Sequence, residues 1–529
     1  MAQPGQELVL PFAVIEREGG TAVEFPLEMT FATVLADIEK AREKAGMLRK
    51  REEVLEFASM LYWPIVVVPW RENRHLVFDG MGVWSYVFSQ GRIPDARSFA
   101  AAADAAKDYR SLLGLLNERS TYFDQFPAVD RLPVMGLFIH EELLRDVLAH
   151  IALAKPKALG ANPMLSPRLS PEHATTSVQR LKATVDVMAK DIESLGVARA
   201  ALERALDRAR RDLAEVRDRT VQTYNRKIDS VRPDVNARVA ALEREREDRW
   251  MAMQPKLLDL QAQSRKIEAD LMAWDAEARR RDDYAAASAA RERRDATRAE
   301  LDRARAEVSR YQDEMAQQRA NFDRQIQAQW DRIREIERER DAEVNRLNQE
   351  EQGLVALVGK LVLGVGGLTR QLEDSIRFLD TQGVQAPLAG ATVVRMPIFL
   401  GSLTSERGRR IIVYPPMVAK AGKGVLGGLK STFGGAVLPL EPKTKQFEDI
   451  FKAGIEKAIG EDTSLAAYLA SMGNGNNILH LGNLRELLGK GLREMKAQGW
   501  IKDKHEREFI VALERHIHTA QRTAPRPGT

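Results

Sequence analysis

Leu181-Lys-Ala-Thr-Val185-Asp-Val-Met188-Ala-Lys-Asp-Ile192-Glu-Ser-Leu195 sets large apolar residues four and three positions apart. The spacing continues through Leu202, Leu206, Leu213 and Val216, with Arg199 and Ala209 at the skipped positions. A heptad kept up this long marks helices packed along a narrow seam, because about 3.5 residues per turn keeps one stripe facing its partner. A lone amphipathic helix lying on a globular domain would be shorter and carry a less charged outer face.

The same composition spreads outward. Between Gly196 and Gly353 there is no glycine, and the only prolines are Pro233 and Pro255. A globular domain of that size needs glycine in its turns, so residues 177–352 are expected to form a coiled coil. Pro233 removes a helix donor and disfavours helix at Arg232, so a break is expected near 229–234. The pattern resumes at Val235, Val239 and Leu242, then at Met253, Leu257, Leu260, Ile267, Leu271 and Trp274. From Asp275 to Glu300 alanine and arginine take over, with Tyr284 the one large apolar residue, before Leu301, Val308, Met315, Phe322, Ile326 and Ile333 restore the seam. Three arrangements fit: a reversal at Pro233, a second reversal in the alanine-rich stretch that makes a three-helix bundle, or one long helix paired with another copy. The reversal near 229–234 is the favoured expectation, with arms of roughly 80 Å at 1.5 Å per residue.

The two ends differ from the rod. Residues 1–155 read as mixed α/β: a strand at Leu8–Ile15, a partner at Ala22–Phe25, a helix at Phe31–Lys44, and helices near 98–117 and 134–154. Trp63-Pro-Ile-Val-Val-Val-Pro-Trp70 is a β-branched run of the kind buried on both faces. A proline-rich linker occupies 156–176 and a helical connector 353–385. Strands at 392–400 and 410–414 and a Gly/Lys-rich loop fall within 386–460, and helices fill 461–529. Two strands without a larger sheet are marginal. The expected fold is therefore α+β: a mixed α/β head built from both chain ends, with a long central coiled coil as a helical hairpin or rod.

Composition limits the functional classes. The 529 residues carry 80 basic and 76 acidic side chains, a net charge of +4, too balanced to argue for nucleic acid. There is no cysteine, which excludes disulfides, thiol catalysis and Cys-ligated zinc and fits a reducing, cytoplasmic setting. The N-terminal stretch has no basic region ahead of its apolar run, unlike a secretory signal. The apolar run Leu354–Leu368 is interrupted by Lys360 and reads as too short to cross a bilayer, so no transmembrane segment is expected.

No motif carries recognisable chemistry. Gly422-Lys-Gly-Val-Leu-Gly-Gly-Leu-Lys-Ser-Thr432 has Leu429 where a phosphate loop needs glycine directly before its lysine. It reads instead as a basic loop whose Lys420, Lys423 and Lys430 could contact an anion or nucleic acid. His140-Glu-Glu142 lacks a second histidine four residues on, where Leu144 stands. His505, His516 and His518 share the last helix, but His516 and His518 do not face each other. Asp79-Gly-Met-Gly82 is more often a turn than an acidic catalytic loop, and Asp37, Glu39, Glu52 and Glu53 read as helix-face carboxylates. Trp63 and Trp70 fit core packing better than base stacking. The segment Leu484–Ile501, with Lys490, Arg493 and Lys496, has a charged helix after it instead of the strands of a winged helix. No catalytic residue, metal ligand or cofactor is assigned.

The layout of head, coiled coil and head resembles that of the SMC-type ATPases of chromosome maintenance. Their Walker A, signature and Walker B motifs are not found here, so ATPase activity is not implied. The sequence reads as a non-enzymatic coiled-coil scaffold that associates with itself through the seam Leu181, Val185, Met188, Ile192, Leu195, Leu202, Leu206 and Leu213. The alternatives are an accessory DNA-associated subunit of a genome-maintenance or defence complex, in which lysines of the basic loop meet nucleic acid, and an enzyme with an unrecognised site in the head.

Overall fold

The computed structural model describes residues 7–16, 22–43, 52–148, 151–156, 163–279, 284–388, 390–420, 440–498, 500–501 and 503–523. It is an α+β protein, 68% helical, with a curled mixed sheet and two very long helices. In chain order the elements are β1 (Leu8–Val9), β2 (Ala13–Glu16), β3 (Ala22–Glu24), α1 (Leu27–Ala41), β4 (Val54–Pro69), β5 (Arg74–Asp79), β6 (Ser85–Arg92), α2 (Ala96–Ala105), α3 (Tyr109–Glu118), β7 (Ala128–Met135) and α4 (Glu141–Leu148). The long helices α5 (Pro171–Ala278) and α6 (Tyr284–Thr381) follow. Then come β8 (Val384–Gln385), β9 (Thr392–Ser405), β10 (Gly408–Tyr414), β11 (Met417–Lys420), β12 (Leu440–Pro442), α7 (Ala453–Glu461), α8 (Thr463–Gly475), α9 (Leu484–Ala497) and α10 (Asp503–Thr523).

The chain forms two compact units. The first takes Met1–Arg97, Phe123–Val197 and Gly364–Thr529; the second takes Ser98–Tyr122 and Ala198–Leu363.

In the first unit the main sheet runs β1-β9-β4-β5-β8, with β10 also on β9. β4 and β9 pair antiparallel from Val54 opposite Thr404 to Val67 opposite Thr392. A second sheet, β12-β11-β2-β3, sets Met417–Lys420 parallel to Ala13–Glu16. Alternation along the strands feeds two cores. Leu55, Ala58, Phe399 and Leu403 turn to α1, α9 and α10, meeting Leu35, Ile38, Leu488, Leu492 and Leu513. Phe57, Trp63, Ile65, Met396 and Ile398 turn the other way, to Leu143 and Val147 of α4 and Phe447, Phe451, Leu465 and Leu469. Helix α9 approaches α1 so closely that a Cβ on Gly491 would lie 2.3 Å from the carbonyl oxygen of Glu28.

Several elements differ from the sequence expectation. β4 begins nine residues before Trp63 because Glu56 finds a sheet partner set: it accepts from Ser402 Oγ (3.1 Å) and Thr404 Oγ1 (3.0 Å) on β9. Glu52 and Glu53 accordingly precede a strand and are not on a helix. Residues 128–135, partly within the expected 134–154 helix, form β7, paired with β6 alone. The expected helix 98–117 is two helices, because Asp108 caps α3 by accepting from Ser111 N at 2.8 Å.

In the second unit the break expected near 229–234 is absent. α5 runs unbroken through Pro233 and Pro255. Both prolines are solvent-exposed, so the carbonyl each ring displaces four residues earlier can turn to water rather than stay orphaned in a core. Contacts pair Arg217 with Asn348, Arg246 with Asp323, Tyr311 with Met253 and Arg305 with Glu268. Rising numbers on α5 meet falling numbers on α6, so these segments lie antiparallel. The heptad core here includes Ile228, Val235, Val239, Leu242, Ile326 and Ile333. The short helices brace the base of this unit: Tyr109 N donates to Asp212 (3.0 Å), and Arg204 bonds Asp104 (2.8 Å).

Candidate functional site

Two buried polar centres in the sheet-bearing unit would be the places to look for chemistry. The first is Asp79, fully buried at the end of β5. Its Oδ1 accepts from Trp63 Nε1 (2.6 Å) and Met81 N (3.0 Å), and its Oδ2 from Val83 N and Trp84 N. Burial pushes the carboxyl up to about 6, against those four donors. With both oxygens taken by N–H groups, Asp79 ties the turn after β5 to the Trp63 strand. Gly136 is part of the same knot: it lies at φ +80°, with its ideal Cβ position 2.7 Å from the Asp79 carbonyl oxygen. This is the turn reading of Asp79-Gly-Met-Gly82.

The second centre joins α1, the start of β4, β10 and α10. Arg42 forks onto Glu39 (2.7 and 2.8 Å) and reaches Glu52 (2.7 Å) and the Glu53 carbonyl (2.9 Å). His516 Nε2 lies 2.6 Å from Glu39 Oε2, and Arg410 forks onto Glu53 at 2.7 Å. Burial pushes Glu39 up, but its bonds to His516 and Arg42 outweigh that and hold it at about 2. The guanidinium of Arg42 is held above its ordinary range, chiefly by Glu39. The centre clasps four elements, with no hydroxyl or thiol nucleophile beside His516 in the described contacts. Among the described residues no group of three or more His, Asp or Glu could hold a metal ion.

The expected anion contact falls for the most part outside the described residues. Lys420 ends β11, and Lys423 and Lys430 lie outside the described residues. The seam residues are placed as packing residues: Leu181, Val185, Met188, Leu195, Leu202 and Leu213 are buried, and Ile192 and Leu206 half-buried. The apolar run after Gly353 belongs to a helix longer than the run itself; an 18-residue window of α6 with mean hydropathy 1.5 is long and apolar enough to cross a membrane by length and composition. Leu354, Val358, Leu361, Val365 and Leu368 are nevertheless buried at heptad spacing.

The outer half of α5, in the second unit, has a surface the sequence reading missed. Its seam residues Leu257, Leu260, Ile267, Leu271 and Trp274 are only half-buried. The α6 stretch opposite, from Arg293 over the Trp274 ring to Tyr311 beside Met253, has Leu301 buried and Val308 half-buried among mostly short or charged residues. On a different face of α5, Met251, Leu258 and Met272 are 64, 57 and 67% exposed. They stand on one heptad register, with Arg265 at the remaining position. Nearby, Trp250, Met253, Met315 and Phe322 floor a notch rimmed by Arg246, Arg249 and Arg319, with the Arg319 guanidinium 5.7 Å from the Trp250 ring centre. The available signal was the seven-residue spacing of Met251, Leu258 and Met272. It is visible only once the main seam is fixed and this face is known to lie outside it.

No protein-family model matches this sequence, no curated protein matches it, and no solved structure matches its fold.

Proposed function

We propose that the chain is a non-enzymatic cytoplasmic scaffold that assembles with copies of itself. Its arm is a coiled-coil hairpin made by α5 and α6, and both chain ends contribute to its mixed-sheet head. The antiparallel contacts from Arg217–Asn348 to Glu268–Arg305 support the hairpin. The pairing of β4 with β9 supports the shared head. The observation that carries the assembly reading is the outer half of α5, where a heptad stripe of large apolar residues stands in water beside an incompletely covered seam. Burying each such side chain is worth about 1.5–3 kcal/mol, and a second chain is the economical cover.

Light scattering and sedimentation of the full chain at micromolar concentration test this, with and without duplex DNA. An oligomer of the same mass in both conditions is expected. A monomer in both refutes the scaffold reading. A mass that rises only with DNA, and falls as salt is added, would put the accessory DNA-associated subunit in its place.

A further inference from the structure

We propose that a second copy of this chain docks antiparallel on the exposed face of α5 between Met251 and Ala276, with the twofold axis passing between Gln263 and Ser264. The inference rests on the self-assembly reading and adds the surface, the orientation and the register.

The face is continuous. Met251, Leu258, Arg265 and Met272 form one row, and Pro255, Ala262, Ala269 and Ala276 form the row four residues on; all eight are exposed. Rows offset in this way make the a and d positions of a two-helix seam. The flanking row Ala252, Asp259, Lys266 and Ala273 is exposed too. Asp259 and Lys266 have no ion-pair partner among the described residues. The opposite flank, Gln254, Gln261, Glu268 and Asp275, is half-buried and borders the α5–α6 contact. The paired length from Met251 to Ala276 is about 40 Å at 1.5 Å per residue.

Charge complementarity selects the partner and its register. In an antiparallel pair, one row of each helix layers against the other row of its partner, and like flanks meet. With the axis between Gln263 and Ser264, Leu258 layers on Ala269 of the second copy, Met272 on Pro255, Met251 on Ala276 and Arg265 on Ala262. Every layer then sets a long side chain on a short one, and Arg265 lays its aliphatic stem over Ala262 while its charge reaches water. Asp259 faces Lys266 of the second copy, and symmetry repeats the pair. On the other flank Gln261 meets Glu268 and Gln254 meets Asp275, with no like charges opposed. Sliding the partner one heptad one way sets Asp259 against its own copy. Sliding it the other way sets Lys266 against Lys266 and Glu268 against Glu268. A parallel pair sets Arg265 against Arg265 in the seam. Like charges directly opposed disfavour those alternatives, so one arrangement remains that matches long with short in its layers and opposite charges at its exposed flank.

The test uses the full chain and sedimentation across a concentration series. Leu258→Glu should weaken association at least tenfold while helix content by circular dichroism stays unchanged. Asp259→Lys and Lys266→Asp should each weaken it several-fold. The two changes in one chain should restore it, and the two single variants mixed together should associate better than either alone. Restoration excludes misfolding as the cause of the single losses. If the wild type assembles and Leu258→Glu leaves assembly intact, this surface is wrong and the scaffold reading stands. If Leu258→Glu disrupts assembly but the double swap fails to restore it, the antiparallel register is wrong. If the wild type is monomeric at every concentration, both readings fall.

Discussion

Two stretches of α5 in the second unit carry the same heptad lettering and end up differently. Around Leu202 and Leu213, and again from Ile228 to Leu242, the seam residues are mostly buried. From Leu257 to Trp274 they are only half-buried. The difference comes from what stands opposite. The stretch from Ile228 to Leu242 packs on Ile326 and Ile333 of α6, and α3, tied to Asp212 through Tyr109 N, buries Tyr109, Leu112 and Leu116. The outer stretch faces residues 293–311, where arginines such as Arg293 and Arg305 meet it and Leu301 is the large apolar side chain that is buried. A heptad records that a helix has an apolar stripe; the size of the facing side chains decides whether the stripe is satisfied or left for another chain.

The comparison can be broken most forcefully at the inner seam. Leu202→Asp buries an unpaired charge at a fully buried site and is expected to cost about 4 kcal/mol or more, seen as loss of the cooperative thermal transition. The sequence reading took Leu202 and Leu206 as association residues. The full burial of Leu202 predicts that substitution there unfolds the long-helix unit, whereas the exposed Leu258 can be changed with the fold intact. Equal loss of folding for Leu202→Asp and Leu258→Asp would erase the distinction.

In the sheet-bearing unit, Arg42→Ala should cost about 3–5 kcal/mol by leaving the buried Glu39 without the guanidinium that forks onto it. Its pH signature has a fixed sign. Glu39 is held at about 2, below its ordinary 4.5. The stability it contributes is present above 4.5 and is lost as pH falls from there toward 2. Denaturant titrations should show that acid loss in the wild type and a smaller one in Arg42→Ala.

Pro233→Ala sharpens the comparison along the rod. Because the helix passes through this position, alanine should restore a backbone donor and raise the arm's stability by about 1–3 kcal/mol. A lower melting temperature would show that the proline is wanted in a turn. Asp79→Asn should bring a loss of similar size, about 1–3 kcal/mol, because its amide would point N–H groups at backbone donors. Asp79 is raised from 3.8 to about 6, so its share of stability is fullest below 3.8 and declines as pH rises through 6. The asparagine variant should lose that decline.

Much of the architecture was legible because it is written in local period. The heptads located α5 and α6, the β-branched run located the middle of β4, and the loss of glycine marked the rod. Pro233 misled because propensity treats every helix position alike, while a proline on the solvent side displaces a carbonyl that water can satisfy. The Glu39–Arg42–His516 centre was illegible for another reason. Its members lie 477 positions apart at the extremes, and a carboxylate on an amphipathic helix looks the same whether it meets water or a distant histidine. The exposed stripe on α5 lay between these cases: its spacing is in the sequence, but its freedom depends on which face α6 takes.

The pairing of β4 with β9 sets an order of events during synthesis. Pro69 leaves the ribosome roughly 320 residues before Thr392, an interval on the order of 15–60 s at about 5–20 residues per second. Throughout that time Phe57, Trp63, Ile65 and Val67 lack the strand that later lies beside them, while α5 and α6 can already zip from contacts near their shared end. The expected order is α5–α6 contacts first and the β4–β9 pairing later. A nascent chain stalled before Thr392 should resist protease in the arm and be cut within 54–69.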